Sequence, residues 1–291
     1  MVCGGSALSA DHVRWFTALG LPVYQGYGLS ETSPVVSSNS MERKHFKIGS
    51  SGKLFPWVKI RIIDENGNPL SDGAVGEVTL QGDSIMLGYW NNKPATDEAM
   101  RIGWFHTGDL GYMDKDGFLF ITGRIKSLLV GEDGEKYSPE ALEQHLTDNN
   151  PIIKQIMLYN QQNPYTVALI VPDRDEILRL LTVKTDRGIG KISNETAKEV
   201  LVHIENILKH YRTDKKLSSK FIPQWVPKTF ALLPKDFSED NGMINSTLKM
   251  VRRKIVSTYK ERIDRLYSDQ ANPLNPENIE TVKTLLLSKN G

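Results

Sequence analysis

Between residues 48 and 122 the chain is written in short apolar runs separated by turn chemistry, a pattern that antiparallel hairpins satisfy and amphipathic helices do not. Val58-Lys59-Ile60-Arg61-Ile62 alternates, Asp64-Glu65-Asn66-Gly67-Asn68 reads as a turn, and Gly76-Glu77-Val78-Thr79-Leu80 returns. These runs predict one hairpin. Gly111-Tyr112-Met113 and Phe118-Leu119-Phe120-Ile121-Thr122, joined through Asp114-Lys115-Asp116-Gly117, predict another. Asp114 and Asp116 would also suit a calcium loop, but the roughly twelve-residue ligand pattern with its terminal glutamate is missing, so the segment reads as a plain turn.

Different textures flank this region. Ser9 is placed to cap a short helix whose apolar residues Val13, Phe16 and Leu19 recur at helical spacing, with Gly20 to end it. A strand-like Pro22-Val23-Tyr24-Gln25 then feeds a glycine-relaxed turn, Gly26-Tyr27-Gly28-Leu29-Ser30-Glu31-Thr32-Ser33. Polar groups gathered at a strand end are where α/β proteins place ligand contacts. After Gly123-Arg124 the pattern becomes mixed α+β: Ser138 caps and Pro139 opens a helix to about residue 147, and residues 152–159 and 166–171 read as strands. Residues 194–211 carry a helical apolar stripe through Ala197, Val200, Leu201, Ile204, Ile207, Leu208 and Tyr211, which suits packing on its own domain better than lying on a membrane. A long helix is expected from Thr247 to Leu266, and Asn275-Pro276 starts a short terminal one. The expected divisions are residues 1–47, 48–122 and 123–291.

Composition closes several alternatives. No apolar run reaches the ~18 residues that span a bilayer, and Met1-Val2-Cys3-Gly4-Gly5 lacks the cationic start and apolar core of a signal peptide, so a cytoplasmic location is expected. The single cysteine, Cys3, makes neither an internal disulfide nor a cysteine-built zinc site. With 36 Lys+Arg against 35 Asp+Glu there is no whole-protein field to draw in nucleic acid, and contact with a membrane is at most peripheral.

Three common signatures are absent: the Gly-x-x-x-x-Gly-Lys-Ser/Thr phosphate loop, a Gly-x-Gly-x-x-Gly after a strand, and a Gly-x-Ser-x-Gly elbow. What remains is a set of separated blocks suited to a nucleotide and an activated acyl group. Gly4-Gly5-Ser6 would let backbone approach a flat ring, Tyr27 offers a stacking face, and Glu31 is a hard oxygen ligand of the kind magnesium takes. Trp104-Phe105-His106-Thr107-Gly108-Asp109 ends in a carboxylate able to accept two bonds from a ribose diol; Arg124 and Lys249 are cations fit for phosphates. Each also has a plainer role: Asp109 in a turn, Arg124 as a surface charge, and Lys249 with Arg252, Arg253 and Lys254 as a solvated helix face.

In order and wording these blocks resemble one superfamily, the adenylate-forming enzymes that include acyl-CoA synthetases, luciferases and nonribosomal peptide adenylation domains. The matching blocks are Gly4 to Leu8, Tyr27 to Ser33, Gly76-Glu77-Val78 on to Gly88-Tyr89-Trp90, Trp104 to Gly111, Gly123 to Ser127, and Thr247-Leu248-Lys249 followed by Arg252-Arg253. The Ser-Glu-Thr-Ser wording, the Thr-Leu-Lys ending and a helical insertion near residues 184–225 look most like the long-chain fatty acyl-CoA synthetases.

The resemblance implies an α/β and α+β multidomain fold: a remnant of a large AMP-binding domain, a β-rich distorted-barrel subdomain, and a mobile carboxyl-terminal lid. It implies that Gly4, Gly5 and Ser6 back the adenine while Tyr27, followed by Gly28, stacks on its other face. Glu31 would hold Mg2+, and the Ser30 hydroxyl, where the family usually has threonine, would lie near the α-phosphate. Asp109 would bind the ribose hydroxyls, Arg124 ribose or phosphate, and Lys249 would bridge the carboxylate substrate and the α-phosphate. Lys126 stands where the family has its hinge. The implied co-substrates are ATP and CoA, with a long-chain fatty acid as the acid; another acid or an acyl carrier protein acceptor remains an alternative. The family's phosphate-binding Ser/Thr/Gly-rich loop lies upstream of the first block. The expectation is therefore that the partner amino-terminal half of the enzyme is missing here, and that the isolated chain is a fragment without catalysis of its own.

Overall fold

The structure is a computed structural model describing residues 1–5, 8–184, 193–269 and 271–287. The chain divides into two compact units, Met1–Ser127 and Leu128–Gly291.

In the first unit the helix Ala10–Ala18 begins where Ser9 Oγ accepts the His12 N–H at 3.3 Å, and it buries Val13. The strand that follows is Tyr24–Tyr27, two residues later than the apolar pattern suggests. Gly26 and Tyr27 are therefore strand rather than turn, because they pair with Ser38 and Ser37. A four-stranded sheet joins Val2–Cys3, Tyr24–Tyr27, Ser37–Ser38 and Lys53–Leu54, and so runs across position 48. A second, five-stranded sheet is antiparallel. Val58–Ile63 pairs with Gly76–Gly82, placing Ile60 opposite Leu80, and Gly76–Gly82 pairs with Trp104–Met113. Met100–Arg101 pairs with the start of Trp104–Met113 and Leu119–Arg124 with its end. Both predicted hairpins are thus present. Alternation drives them: Val58, Ile62, Val78, Leu80, Phe105 and Leu119 face one buried cluster while Lys59 and Arg61 stay exposed. Each such side chain contributes about 1.5–3 kcal/mol on burial. In the second hairpin Asp114 Oδ1 accepts the N–H groups of Asp116 and Phe118, and Lys47 bonds both aspartates at 2.5 and 2.8 Å.

The second unit is built on a three-stranded sheet ordered Ile153–Tyr159, Val167–Pro172, Thr229–Leu232; the first pair is antiparallel and the second parallel. Alternate residues feed two cores. Ile156, Leu158, Ala168, Ile170, Phe230 and Leu232 join one, and Met157, Val167, Leu169, Val171 and Ala231 the other. The helix Asn194–Thr213, capped by Ser193, buries its stripe from Ala197 to Tyr211 in the first core. The terminal helix Pro276–Leu287 adds Val282 and Leu286. Among the described residues no helix is long and apolar enough to cross a membrane.

Three sequence expectations fail in this unit. Ser138 does not cap: its hydroxyl donates to the Glu140 carboxylate, and the helix runs Glu140–Asn149 from Pro139 without a side-chain cap. Nor is there a helix through Thr247–Leu266. Asn245 Oδ1 accepts the N–H groups of Thr247 (3.1 Å) and Lys249 (2.9 Å), Leu248 sits at φ +58°, and Ile244 bridges Met250. A side chain that captures backbone donors, next to a left-handed residue, ends any helical path. Helix starts only at Arg252–Thr258, and a second short helix, Lys260–Arg265, follows after a break at Tyr259.

Arg252 is not a solvated charge either. It pairs with Glu143, whose side chain is 6% exposed, and donates to the Leu158 carbonyl at 3.2 Å; Glu143 Oε1 accepts the Leu158 N–H at 2.6 Å. Burial drives the Glu143 carboxyl above its usual range although Arg252 pulls it back, and Glu143 in turn holds the guanidinium charged against its own burial.

Candidate functional site

Asp109 and Arg124 face each other across the Trp104–Met113 and Leu119–Arg124 strands. Arg124 Nε donates to Asp109 Oδ1 at 2.6 Å, and the hydroxyl of Tyr27, from the neighbouring sheet, donates to Oδ2 at 2.7 Å. The Asp109 side chain is 7% exposed and that of Arg124 48%, so the arginine reaches outward from a nearly sealed carboxylate. At that exposure the ion pair is worth roughly 0–1 kcal/mol, and its importance is orientation. Burial, then the adjacent Asp109 carboxylate, pushes the Tyr27 hydroxyl far above the usual phenol range and keeps it a donor. Burial works against the Arg124 charge, but Asp109 more than offsets this and raises its pKa. Each carboxylate oxygen has two lone pairs, and the two bonds described use one apiece. The remainder suit a pair of vicinal hydroxyls.

A bulge aims Asp109 inward. Thr79 stands opposite His106 and Glu77 opposite Leu110, so two steps on one strand meet four on the other. Gly108 takes φ +67°, which glycine adopts without steric cost. Thr107 Oγ1 donates to the Val78 carbonyl at 2.7 Å and accepts the Asp109 N–H at 3.0 Å. Glu77 Oε1 accepts the Gly108 N–H at 3.2 Å while Oε2 holds His106 Nδ1 at 2.8 Å.

Glu31 lies in the one-turn 3₁₀ segment Ser30–Thr32. Its carbonyl accepts the Met86 N–H at 2.8 Å, and its Oε1 accepts the Tyr89 hydroxyl at 3.0 Å. Burial and then Glu31 raise the Tyr89 pKa. Ser30 is exposed. A half-buried carboxylate with a second oxygen outside the Tyr89 bond fits magnesium, which binds through one or two carboxylates plus phosphates. Gly28 has a reason of its own: a Cβ there would stand 1.7 Å from the Pro34 carbonyl oxygen. Gly4 lies against Gly26, a Cβ on it meeting the Gly26 carbonyl oxygen at 3.7 Å, and Gly5 has φ +83°. Ser6 falls outside the described residues.

Of the residues read from sequence, the structure joins Tyr27, Asp109 and Arg124 directly. Lys126 sits exposed in the Ile125–Ser127 turn that ends the first unit. Lys249 is exposed on the Asn245 loop of the second. Residues that the reading did not single out are Glu77, His106 and Thr107, which position Asp109, and Tyr89, which holds Glu31. All four lie within the blocks Gly76-Glu77-Val78, Gly88-Tyr89-Trp90 and Trp104 to Gly111, and membership of those blocks was the available signal.

Residues 1–90 match the AMP-binding enzyme family and residues 126–271 match the C-terminal domain of AMP-binding enzymes. The chain belongs to the AMP-binding enzyme family. Among its relatives, a long-chain-fatty-acid–CoA ligase of Mycobacterium bovis is 33% identical over 272 residues, covering 92% of this chain and 42% of that protein. One from Bos taurus is 31% identical over 285 residues, covering 92% and 38%. The chain thus spans about two fifths of the length of the curated relatives it matches. Two solved structures share the fold. The o-succinylbenzoate coenzyme A synthetase of Bacillus subtilis in complex with AMP has a TM-score of 0.64 at 22% identity, covering 87% of this chain and 44% of that one. The adenylation domain of a carboxylate reductase from Mycobacterium chelonae has a TM-score of 0.71 at 22% identity, covering 92% and 38%.

Proposed function

We propose that this chain carries the nucleotide-binding and adenylation residues of an ATP-dependent, AMP-forming long-chain fatty acid–CoA ligase. The observation that carries this reading is the Tyr27–Asp109–Arg124 cluster, in which an aromatic ring, a carboxylate with acceptor capacity left and an outward-reaching arginine converge from three separate segments. A nucleoside monophosphate needs those three partners: a stacking face for the base, an acceptor for the ribose diol and a cation for the phosphate. Gly4, Gly5 and Ser6 back the base, and Gly28 lets the Tyr27 segment turn tightly.

The reaction has two halves. The fatty acid carboxylate attacks the α-phosphorus of ATP and pyrophosphate leaves, giving acyl-adenylate; the CoA sulfur then attacks the acyl carbon and AMP leaves, giving the thioester. No protein nucleophile takes part, so the work is positioning and charge stabilisation. Lys249 serves the first half as a point cation shared between carboxylate and α-phosphate, and the Ser30 hydroxyl donates to the same phosphate. Glu31 would hold Mg2+, which when bound neutralises phosphate charge. Lys126 is assigned as the hinge between the two half-reactions, supported by its place in an exposed turn beside the unit boundary.

Calorimetry with AMP on the purified chain tests the nucleotide part. AMP binds, and Asp109→Asn weakens it about tenfold or more; absence of binding, or an unchanged affinity in the variant, would refute the reading. The ligase part is tested in a hybrid carrying this chain in place of the matching portion of the Mycobacterium bovis relative. Mass spectrometry should find long-chain acyl-CoA as the main product from a panel of acids.

A further inference from the structure

Asp109 owes its direction to a distortion that the strand ladder does not itself impose. The peptide units from Thr107 to Asp109 stand out of register, so the Gly108 N–H, at φ +67°, has no ladder partner and needs an acceptor elsewhere. Two side chains do the holding. Thr107 ties the near side to Val78 and to the Asp109 N–H, and Glu77 takes the Gly108 N–H with one oxygen while its other is fixed by His106. The Glu77 and His106 side chains are 18% and 14% exposed, so water is a poor substitute for either bond.

We infer that Glu77 is a positioning residue for ribose recognition: it locks the Gly108 bulge in the one conformation that presents Asp109 to a vicinal diol. The inference rests on the reading of Asp109 as the ribose-binding carboxylate. The Glu77 bonds go to the Gly108 N–H and to His106, so it acts on Asp109 through the peptide before it. Glutamine keeps an oxygen for the Gly108 N–H and an amide for the imidazole, whereas alanine keeps neither. A merely structural glutamate would affect all nucleotides alike, and would do so whether or not Asp109 were present.

The test uses the purified chain and calorimetry with AMP and with 2′,3′-dideoxy-AMP, which lacks the diol. Glu77→Ala is expected to weaken AMP about tenfold while leaving dideoxy-AMP within about twofold, and Glu77→Gln to restore AMP to within about threefold of the parent. In an Asp109→Asn background, Glu77→Ala should change AMP affinity by less than about twofold. Glu77→Val, which keeps β propensity at this strand position, serves if the alanine variant fails to fold. Equal weakening of both nucleotides, or an undiminished loss in the Asp109→Asn background, overturns the inference. If Asp109→Asn alone leaves AMP binding unchanged, it is the reading of Asp109 that fails. If Asp109→Asn weakens AMP and both Glu77→Ala and Glu77→Val do not, Asp109 stands and Glu77 is dismissed.

Discussion

Arg252→Met is a severe test of the interior of the second unit. It leaves Glu143, only 4% exposed, with the Leu158 N–H and no cation, and it strips the Leu158 carbonyl of its donor. Removing one member of a buried pair costs about 3–5 kcal/mol, a large part of the ~5–15 kcal/mol that holds a domain folded. At about 1.4 kcal/mol per decade, amide exchange in Val167–Pro172 should accelerate roughly a hundred- to several-thousandfold, read by mass spectrometry on the corresponding peptides. The loss has a pH sign. Glu143 has its folded pKa raised, so the folded unit takes up the proton more readily than the unfolded chain; its contribution is fully present below the unfolded pKa and is lost as pH rises through the folded one. Without Arg252 the carboxyl rises further, so the variant should be penalised more at pH 8 than at pH 5. Adding Glu143→Leu removes the stranded charge and should recover part of the loss, the remainder being the Leu158 N–H and carbonyl left without side-chain partners. A cost under about 1 kcal/mol for Arg252→Met, or a double variant no better than the single, would refute this account.

Other outcomes follow from the same geometry. In the hybrid ligase, Lys249→Ala should lower acyl-adenylate formation about 100- to 1000-fold while sparing thioester formation from supplied adenylate, as measured by assaying the halves separately. Removing magnesium should weaken ATP binding to the parent and not to Glu31→Ala, whereas Asp109→Ala should lose affinity with or without the metal, by calorimetry. Gly28→Ala places a methyl 1.7 Å from the Pro34 carbonyl oxygen and should abolish AMP binding and loosen the first unit, seen as faster exchange through Tyr24–Tyr27. Asp214 caps Lys215–Lys220 by accepting the N–H groups of Leu217 and Lys216, bonds that lower its pKa. Its contribution is present above the ordinary carboxylate range and lost as pH falls through the depressed value, so protection from exchange in that helix, taken relative to the intrinsic rate, should fall on acidification and flatten with pH in Asp214→Asn.

Local patterns were legible where local energetics decide. Alternation in residues 58–62 and 76–80 places the hairpin because the register follows from which face is buried. Ser9 was readable as a cap for the same reason, since the bond closes within three residues. The helix reading failed from Thr247 to Val251. Basic and apolar residues after Thr247 keep a helical period, while one amide, Asn245, outcompetes it for backbone donors. Tyr27 and Asp109 are 82 residues apart, and Glu143 and Arg252 are 109 apart. Nothing at either end of such pairs announces the other, so the residue types were visible as candidates but their bonding was not.

The central strand Val167–Pro172 also sets an order of events during synthesis. Its antiparallel neighbour, Ile153–Tyr159, precedes it by a short connection, so that pairing forms at small loop-closure cost as soon as both have emerged. Its parallel neighbour, Thr229–Leu232, comes only after the helix Asn194–Thr213. Until then the hairpin has one strand edge bare, and the face carrying Met157, Val167, Leu169 and Val171 stays uncovered for longer, because its partners Phe237, Met243, Ile255 and Ile263 come later still. Non-local parallel pairing is slow to repay its loop entropy, which makes this interval the point of greatest exposure to misassociation for the second unit. A ribosome stalled just short of Thr229 would therefore hold a chain that chaperones bind. One stalled well past Leu232, with that strand clear of the exit tunnel, would hold a sheet able to close.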